Sequence, residues 1–192
     1  MTTDLHGQKN ALRKQIRFVL QNMPTAAQMV ASGQIRARLQ EHAIWRNAKS
    51  VLFFAPLPDE VDVWPLLEEA LVAGRTAALP RFDAEHQNYV ACQVRNLPGE
   101  IATGQFGVRE PSGGCPEISP GNLDLILVPG VAFDLKGHRL GRGQGFYDRL
   151  LAKVRGVKCG VAFEEQIVKV VGVRTHDIPM DFIVTPRRCV KT

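Results

Sequence analysis

The chain has 192 residues, 45% hydrophobic and 22% charged, with a formal net charge of +5. That length and balance bound it to one globular domain spanning 1–192 and exclude a disordered or collagen-like composition. No run reaches the roughly 18 uninterrupted apolar residues of a membrane span, and the polar start Met1–Lys9 carries no apolar signal core, so a cytoplasmic protein without membrane contact is expected.

Helix 1 is predicted over Gln8–Met23, where Leu12, Ile16, Val19, Leu20 and Met23 repeat at three and four. Lys9, Arg13, Lys14 and Arg17 fall on its other faces. Pro24 breaks it, and Thr25-Ala26-Ala27-Gln28 reads as a capping box for a second helix to about His42. Val51–Phe54 is a short apolar run typical of a strand buried on both faces. Asp62 or its neighbours cap a helix through Val63, Leu66, Leu67, Ala70 and Leu71, stopped by Gly74. Thr76–Leu79 forms the next strand, halted by Pro80, which makes a parallel βαβ unit. Tyr89–Val94 has strand character. Pro98–Gly121, rich in Gly, Pro and Ser, reads as a long connection with a functional loop. Leu123–Val128, Val157–Phe163 and Phe182–Val184 are further strands. Strand and helix alternate throughout, which argues an α/β layer structure.

Cys92, Cys115, Cys159 and Cys189 show no CxxC spacing, so they read as free thiols rather than zinc ligands. The five histidines have no metal-ligand spacing either. The basic charge permits an anionic small molecule, a polyanionic cofactor or nucleic acid. No aromatic-interleaved basic stripe or nucleic-acid motif occurs, so nucleic acid is not expected as a partner.

The most informative stretch is Gly141-Arg142-Gly143-Gln144-Gly145-Phe146-Tyr147-Asp148-Arg149. Three alternate glycines open an apolar helical pattern at Phe146, Leu150, Leu151 and Val154. Such a loop is either a tight structural turn or a place where backbone N–H groups surround a phosphate. It is not a Walker loop and misses the dinucleotide fingerprint by one spacing. Asp148 either complements the helix dipole or holds the metal of a phosphate. Asp177 is a turn former or a second carboxylate for Mg²⁺. Glu60 follows the first strand, where open α/β sheets bind ligands, and is otherwise a solvated loop acid. Lys9 and Arg13 are spaced i, i+4, so they share a face and point to solvent or converge on an anion.

Leu123–Asp134 followed by Gly137–Asp148 resembles the signature of the 5-formyltetrahydrofolate cyclo-ligase family. Lys9-x-x-x-Arg13, Pro58–Asp62, Gly107–Pro111 and His176-Asp177-x-x-Met180-Asp181 fall in the family's order, so the resemblance covers essentially the whole chain. It implies an α/β fold, a three-layer α/β/α sandwich with a largely parallel central sheet. It implies ATP-dependent ring closure of 5-formyltetrahydrofolate, possibly polyglutamylated, to 5,10-methenyltetrahydrofolate, with Mg²⁺ required and ADP and phosphate released, by a monomer. In the family's mechanism the formyl oxygen attacks the γ-phosphate and N10 then attacks the activated carbon. Carried onto this chain, Lys9, Arg13, Arg139 and the segment Gly141, Arg142, Gly143, Gln144, Gly145, Phe146, Tyr147 and Asp148 would meet the nucleotide. Ala55, Glu60 and Gln144, Gly145, Phe146 and Tyr147 would meet the folate. Arg142 and Tyr147 would be catalytic, and Asp148 and Asp177 would hold the metal. Gln144 stands where relatives often carry Gly or Lys, and Phe146 where Tyr is usual; the first loses a charge, the second a hydroxyl. The alternatives are a sugar-phosphate isomerase or acyl-CoA transferase on a related scaffold, and a non-catalytic nucleotide- or folate-binding paralogue.

Overall fold

The computed structural model describes residues 4–104 and 107–192. Residues 1–3 of the polar start, and 105 and 106 of the long connection, lie outside the described residues.

Helix α1 (Leu5–Gln21) begins earlier than its apolar pattern because Asp4 caps it, accepting a hydrogen bond from the Gly7 N–H at 2.9 Å. Ile16 and Leu20 are buried, but Val19 is exposed, so the apolar stripe is narrower than the periodicity suggests. Lys9 is buried as well, so this cation does not point to solvent. Helix α2 (Thr25–Glu41) starts at the expected residue, but Pro24 is its cap and Thr25 is already helical, so no capping box forms. Gln28 instead reaches back to the Leu20 and Met23 carbonyls, tying the two helices at their turn. A short helix α3 (Ala43–Arg46) leads into strand β1 (Ser50–Leu52). Helix α4 (Trp64–Val72) has Val63 at its N-cap, and the carboxylate of Asp62, one residue earlier, accepts from the Trp64 N–H at 3.1 Å.

Strand β2 (Thr76–Asp83) runs through Pro80 rather than stopping there. The reason is positional. Strand β1 ends opposite Ala78, so the residue lacking an N–H has no β1 neighbour to serve and pairs only with Ala91 of β3 (Asn88–Val94). The β2–β3 pair is an antiparallel hairpin, which breaks the expected alternation. The long connection is also more structured than its composition implies. It holds a helical turn α5 (Leu97–Glu100), a two-stranded ribbon of β4 (Ile101–Thr103) and β5 (Arg109–Pro111), and an edge strand β6 (Glu117–Ile118). Strand β7 (Leu125–Val128) precedes a small hairpin of β8 (Ala132–Phe133) and β9 (Arg139–Leu140). Helix α6 (Phe146–Leu151) stops short of Val154. Strands β10 (Val157–Val161) and β11 (Phe182–Val184) follow, then an unanticipated antiparallel β12 (Cys189–Lys191).

The sheet order is β12-β11-β10-β7-β1-β2-β3-β6, with β11 through β2 mutually parallel and the outer strands antiparallel. Alternate residues of the buried strands go to opposite faces. Val51, Ala77, Leu125, Leu127 and Cys159 pack toward Ile16, Leu20, Ile35, Leu39, Leu66 and Leu67 of α1, α2 and α4. Leu52, Ala78, Ile126 and Val128 join Leu150 and Leu151 of α6 on the other side. This is the α/β sandwich expected, with a thin third layer. The chain leaves β1 toward β2 on one side and β7 toward β10 on the other. The crevice beyond the carboxyl ends of β1 and β7 is therefore a topological switch point, where open α/β sheets bind ligands. All four cysteines are unpaired.

Candidate active site

A cavity of about 660 Å³ opens at that switch point. Phe54 and Ala55, just past β1, and Pro129 and Gly130, just past β7, form part of its wall. Every residue singled out from the sequence lines this one cavity: Lys9, Arg13, Ala55, Glu60, Arg139, Gly141 through Asp148, and Asp177.

One end is cationic. Lys9, reaching in from α1, donates to Asp177 at 2.6 Å, a pair spanning 168 residues. Burial pushes the Asp177 carboxyl up, but the Lys9 hydrogen bond, the Arg174 N–H and the Lys9 charge outweigh it and hold it below its ordinary value. Arg13, one turn on, donates from Nε to the Gly141 carbonyl at 2.8 Å and from Nη1 to Asn10 at 2.8 Å. Burial, then the charges of Arg17 and Arg174, lower its pKa. The sequence left open whether this helix face meets solvent or an anion. Lys9 has converged on Asp177, and Arg13 holds the near end of the glycine loop.

The loop itself needs its glycines at two points. Gly143 (φ +113°) and Gly145 (φ +68°) adopt backbone conformations in which an L side chain is strained. Gly145 caps α6, which at 6 residues presents a single turn to the cavity. The far end of the loop is fixed by buried Arg139, which donates to Asp148 at 2.8 Å and to the Pro129 carbonyl at 3.3 Å. The middle crosses to the other end of the cavity. Arg142 donates to Asp59 at 2.7 Å and to Glu60 Oε1 at 2.9 Å. Burial alone would lower the Arg142 pKa, but the two carboxylates raise it instead. Glu60 Oε2 accepts from the Leu57 N–H at 3.1 Å. Burial, the largest influence on Glu60, pushes its carboxyl above the usual range despite Arg142 and the Leu57 N–H.

Beside Glu60 the wall is aromatic. Tyr89 meets Phe146 and Tyr147 edge-on at 5.4 and 5.8 Å, and Phe82 adds a further ring 5.2 Å from Phe146. Burial, reinforced by Glu60 and Tyr89, raises the Tyr147 phenol well above its ordinary value, so the ring is a neutral partner at physiological pH. Arg139 lies over its face at 5.6 Å. The arrangement joins a cation-rich pole, suited to a polyphosphate, to a pole of edge-to-face rings and an acceptor carboxylate, suited to a flat heterocycle with N–H donors.

The model of the 5-formyltetrahydrofolate cyclo-ligase family matches residues 6–186. The chain belongs to that family. A 5-formyltetrahydrofolate cyclo-ligase of Mycolicibacterium smegmatis is 31% identical over 88% of this chain and 91% of its own length. The mouse protein of the same name is 27% identical over 92% of this chain and 93% of its own. The solved 5,10-methenyltetrahydrofolate synthetase of Aquifex aeolicus has a TM-score of 0.86 at 34% identity, covering 95% of this chain and 92% of that one.

In this cyclo-ligase framework, several cavity residues carried no sequence signal of their own. Tyr89 is an ordinary strand aromatic until the β2–β3 hairpin turns it inward. Arg174 and Asn10 reach the cavity beside Asp177 and Arg13. Arg109 and Glu110 sit in a segment shared with the family, to which no role was attached. The expected Mg²⁺ fits the donor chemistry only in part. Among the described residues no cluster of three His, Cys, Asp or Glu side chains could hold a metal. Asp148 and Asp177 both line the cavity, but each is paired with a cation on one oxygen. Their other oxygens accept no hydrogen bond among the described residues, with His176 3.9 Å from Asp177 Oδ1. A magnesium ion carried in by a polyphosphate needs only one or two such oxygens and keeps water and phosphate for the rest.

Proposed function

We propose that this protein is an ATP- and Mg²⁺-dependent 5-formyltetrahydrofolate cyclo-ligase, converting 5-formyltetrahydrofolate to 5,10-methenyltetrahydrofolate with release of ADP and phosphate, as a cytoplasmic monomer. The observation carrying the reading is the two-pole cavity at the switch point. Its cationic pole and its aromatic, acidic pole are bridged by a single glycine loop.

A formyl oxygen is a poor leaving group as hydroxide, so it must be activated before N10 can close the ring. Activation by phosphoryl transfer is largely a matter of position and charge. Arg13, Arg174 and Lys9 stand where a triphosphate would need neutralising. Asp148 and Asp177 would share Mg²⁺, which when bound draws off charge from the phosphate oxygens. Glu60 would accept from the pterin N–H groups, with Ala55 and the Tyr147 ring fixing the plane. Arg142, reaching from the loop that separates the poles, would meet the phosphate as it transfers to the formyl oxygen. Gln144, Gly145 and Phe146 would lie between the two substrates. No covalent nucleophile is needed. The ultraviolet absorbance of a methenyl-folate should grow when the protein, folinate, ATP and Mg²⁺ are mixed, and should stay flat without ATP. Product formed equally without ATP would reject the ligase reading.

A further inference from the structure

Of the cations lining the cavity, Lys9, Arg139 and Arg142 are each paired with a carboxylate. Arg13, Arg174 and Arg109 form no ion pair among the described residues. The first two share the phosphate pole, where Arg174 and Arg13 repel each other. Arg109 does not belong there. It projects from β5, and its guanidinium lies over the Trp64 ring at 4.2 Å. Strand β5 is pinned on one side by β4 and on the other by Glu110, which accepts from the Phe82 N–H at 3.1 Å. Trp64 with Leu57 and Glu60 walls a second hollow of about 370 Å³, and Leu57 and Glu60 also line the main cavity. Arg109 lines the main cavity together with Leu57 and Glu60, so the Trp64–Arg109 stack borders the cavity on its Glu60 side.

We infer that Arg109, preoriented by Trp64, binds the carboxylates of the glutamyl tail of the folate substrate. The inference rests on the cyclo-ligase reading and adds a subsite to it. Folates end in an anionic glutamyl group, separated from the pterin by a flat aminobenzoyl ring. An unpaired guanidinium stacked on an indole offers a planar fork for a carboxylate at the end of that ring. Stacking also lowers the side-chain freedom lost on binding.

The test compares folinate with 5-formyltetrahydropteroate, which lacks the glutamyl group, at saturating ATP and Mg²⁺. In the wild type, KM for the pteroate should be about tenfold higher, the size of one charge-assisted contact. In Arg109→Gln the ratio of the two KM values should fall to near one, and in Arg109→Lys it should recover in part. A full ratio retained in Arg109→Gln, or no discrimination in the wild type, overturns the subsite while leaving the cyclo-ligase reading in place. Turnover of neither compound by the wild type overturns the cyclo-ligase reading and this subsite with it.

Discussion

At the scale of single residues, Lys9 and Arg13 of α1 meet partners remote in the chain, Asp177 and the Gly141 carbonyl. The i, i+4 spacing of Lys9 and Arg13 placed both on one face of α1, as found. What it could not show is that Lys9 is nearly buried against Asp177 and Arg13 is spent partly on the Gly141 carbonyl. Those partners lie 168 and 128 residues away, and local patterns carry no long-range register. The pairing changes what mutations should do. Asp177→Ala leaves a buried ammonium without its partner, so it should cost about 3 kcal/mol of stability as well as activity. Asp148→Ala likewise leaves the buried Arg139 guanidinium without its ion partner, held only by the Pro129 carbonyl, so it should cost stability too. Asp148→Asn and Asp177→Asn, which keep an acceptor for these cations, should both raise the Mg²⁺ concentration needed for half-maximal turnover, with the two alanine variants also lowering the melting temperature. Unchanged Mg²⁺ titrations in both would remove these carboxylates from the metal site.

At the scale of elements, the glycine loop and the β8–β9 hairpin do different work. The loop was legible in its composition, since alternate glycines before an apolar pattern demand a turn entering a helix. The strap formed by Arg142 across to Asp59 and Glu60 was not, because it depends on where the loop after β1 lies. Under the proposed function a pterin would compete with Arg142 for the same Glu60 oxygen. Folinate should therefore free Arg142 for the phosphates and tighten ATP binding, and Arg142→Ala should abolish that coupling in nucleotide titrations with and without folinate. Equal coupling in the variant would make the strap incidental. The hairpin is held by buried Asp134, which accepts from the N–H groups of Lys136, His138 and Val171 and from the His138 ring. Burial pushes its carboxyl up, but these donors prevail and hold it below the ordinary 3.8. A depressed folded-state pKa contributes stability that is fully present above the unfolded value and is lost as pH falls through the folded one. Asp134→Asn should thus flatten the acid limb of the stability curve below about pH 4, a prediction checked by thermal melts across that range. An acid limb identical to the wild type's would leave Asp134 without that role.

At the scale of the molecule, the parallel core β1, β2, β7, β10, β11 was readable as apolar runs between turn residues. The mixed edges were not. Strand β2 passes through a proline tolerated only where β1 has ended, and β6 and β12 are too short and half-buried to carry a pattern. Yet the core order alone places the cavity, because β1 and β7 diverge there. The central claim is that this one cavity has a nucleotide pole around Arg13 and Asp148 and a folate pole around Glu60. Calorimetric titration of Glu60→Gln with each ligand tests it most directly. The near-isosteric amide turns one acceptor into a donor and leaves a pterin N–H unpaired, which should weaken folinate by about 1–3 kcal/mol. ATP should bind the variant as tightly as the wild type or more tightly, since Arg142 is released from Glu60. Folinate bound at full strength while ATP binding falls would contradict the account.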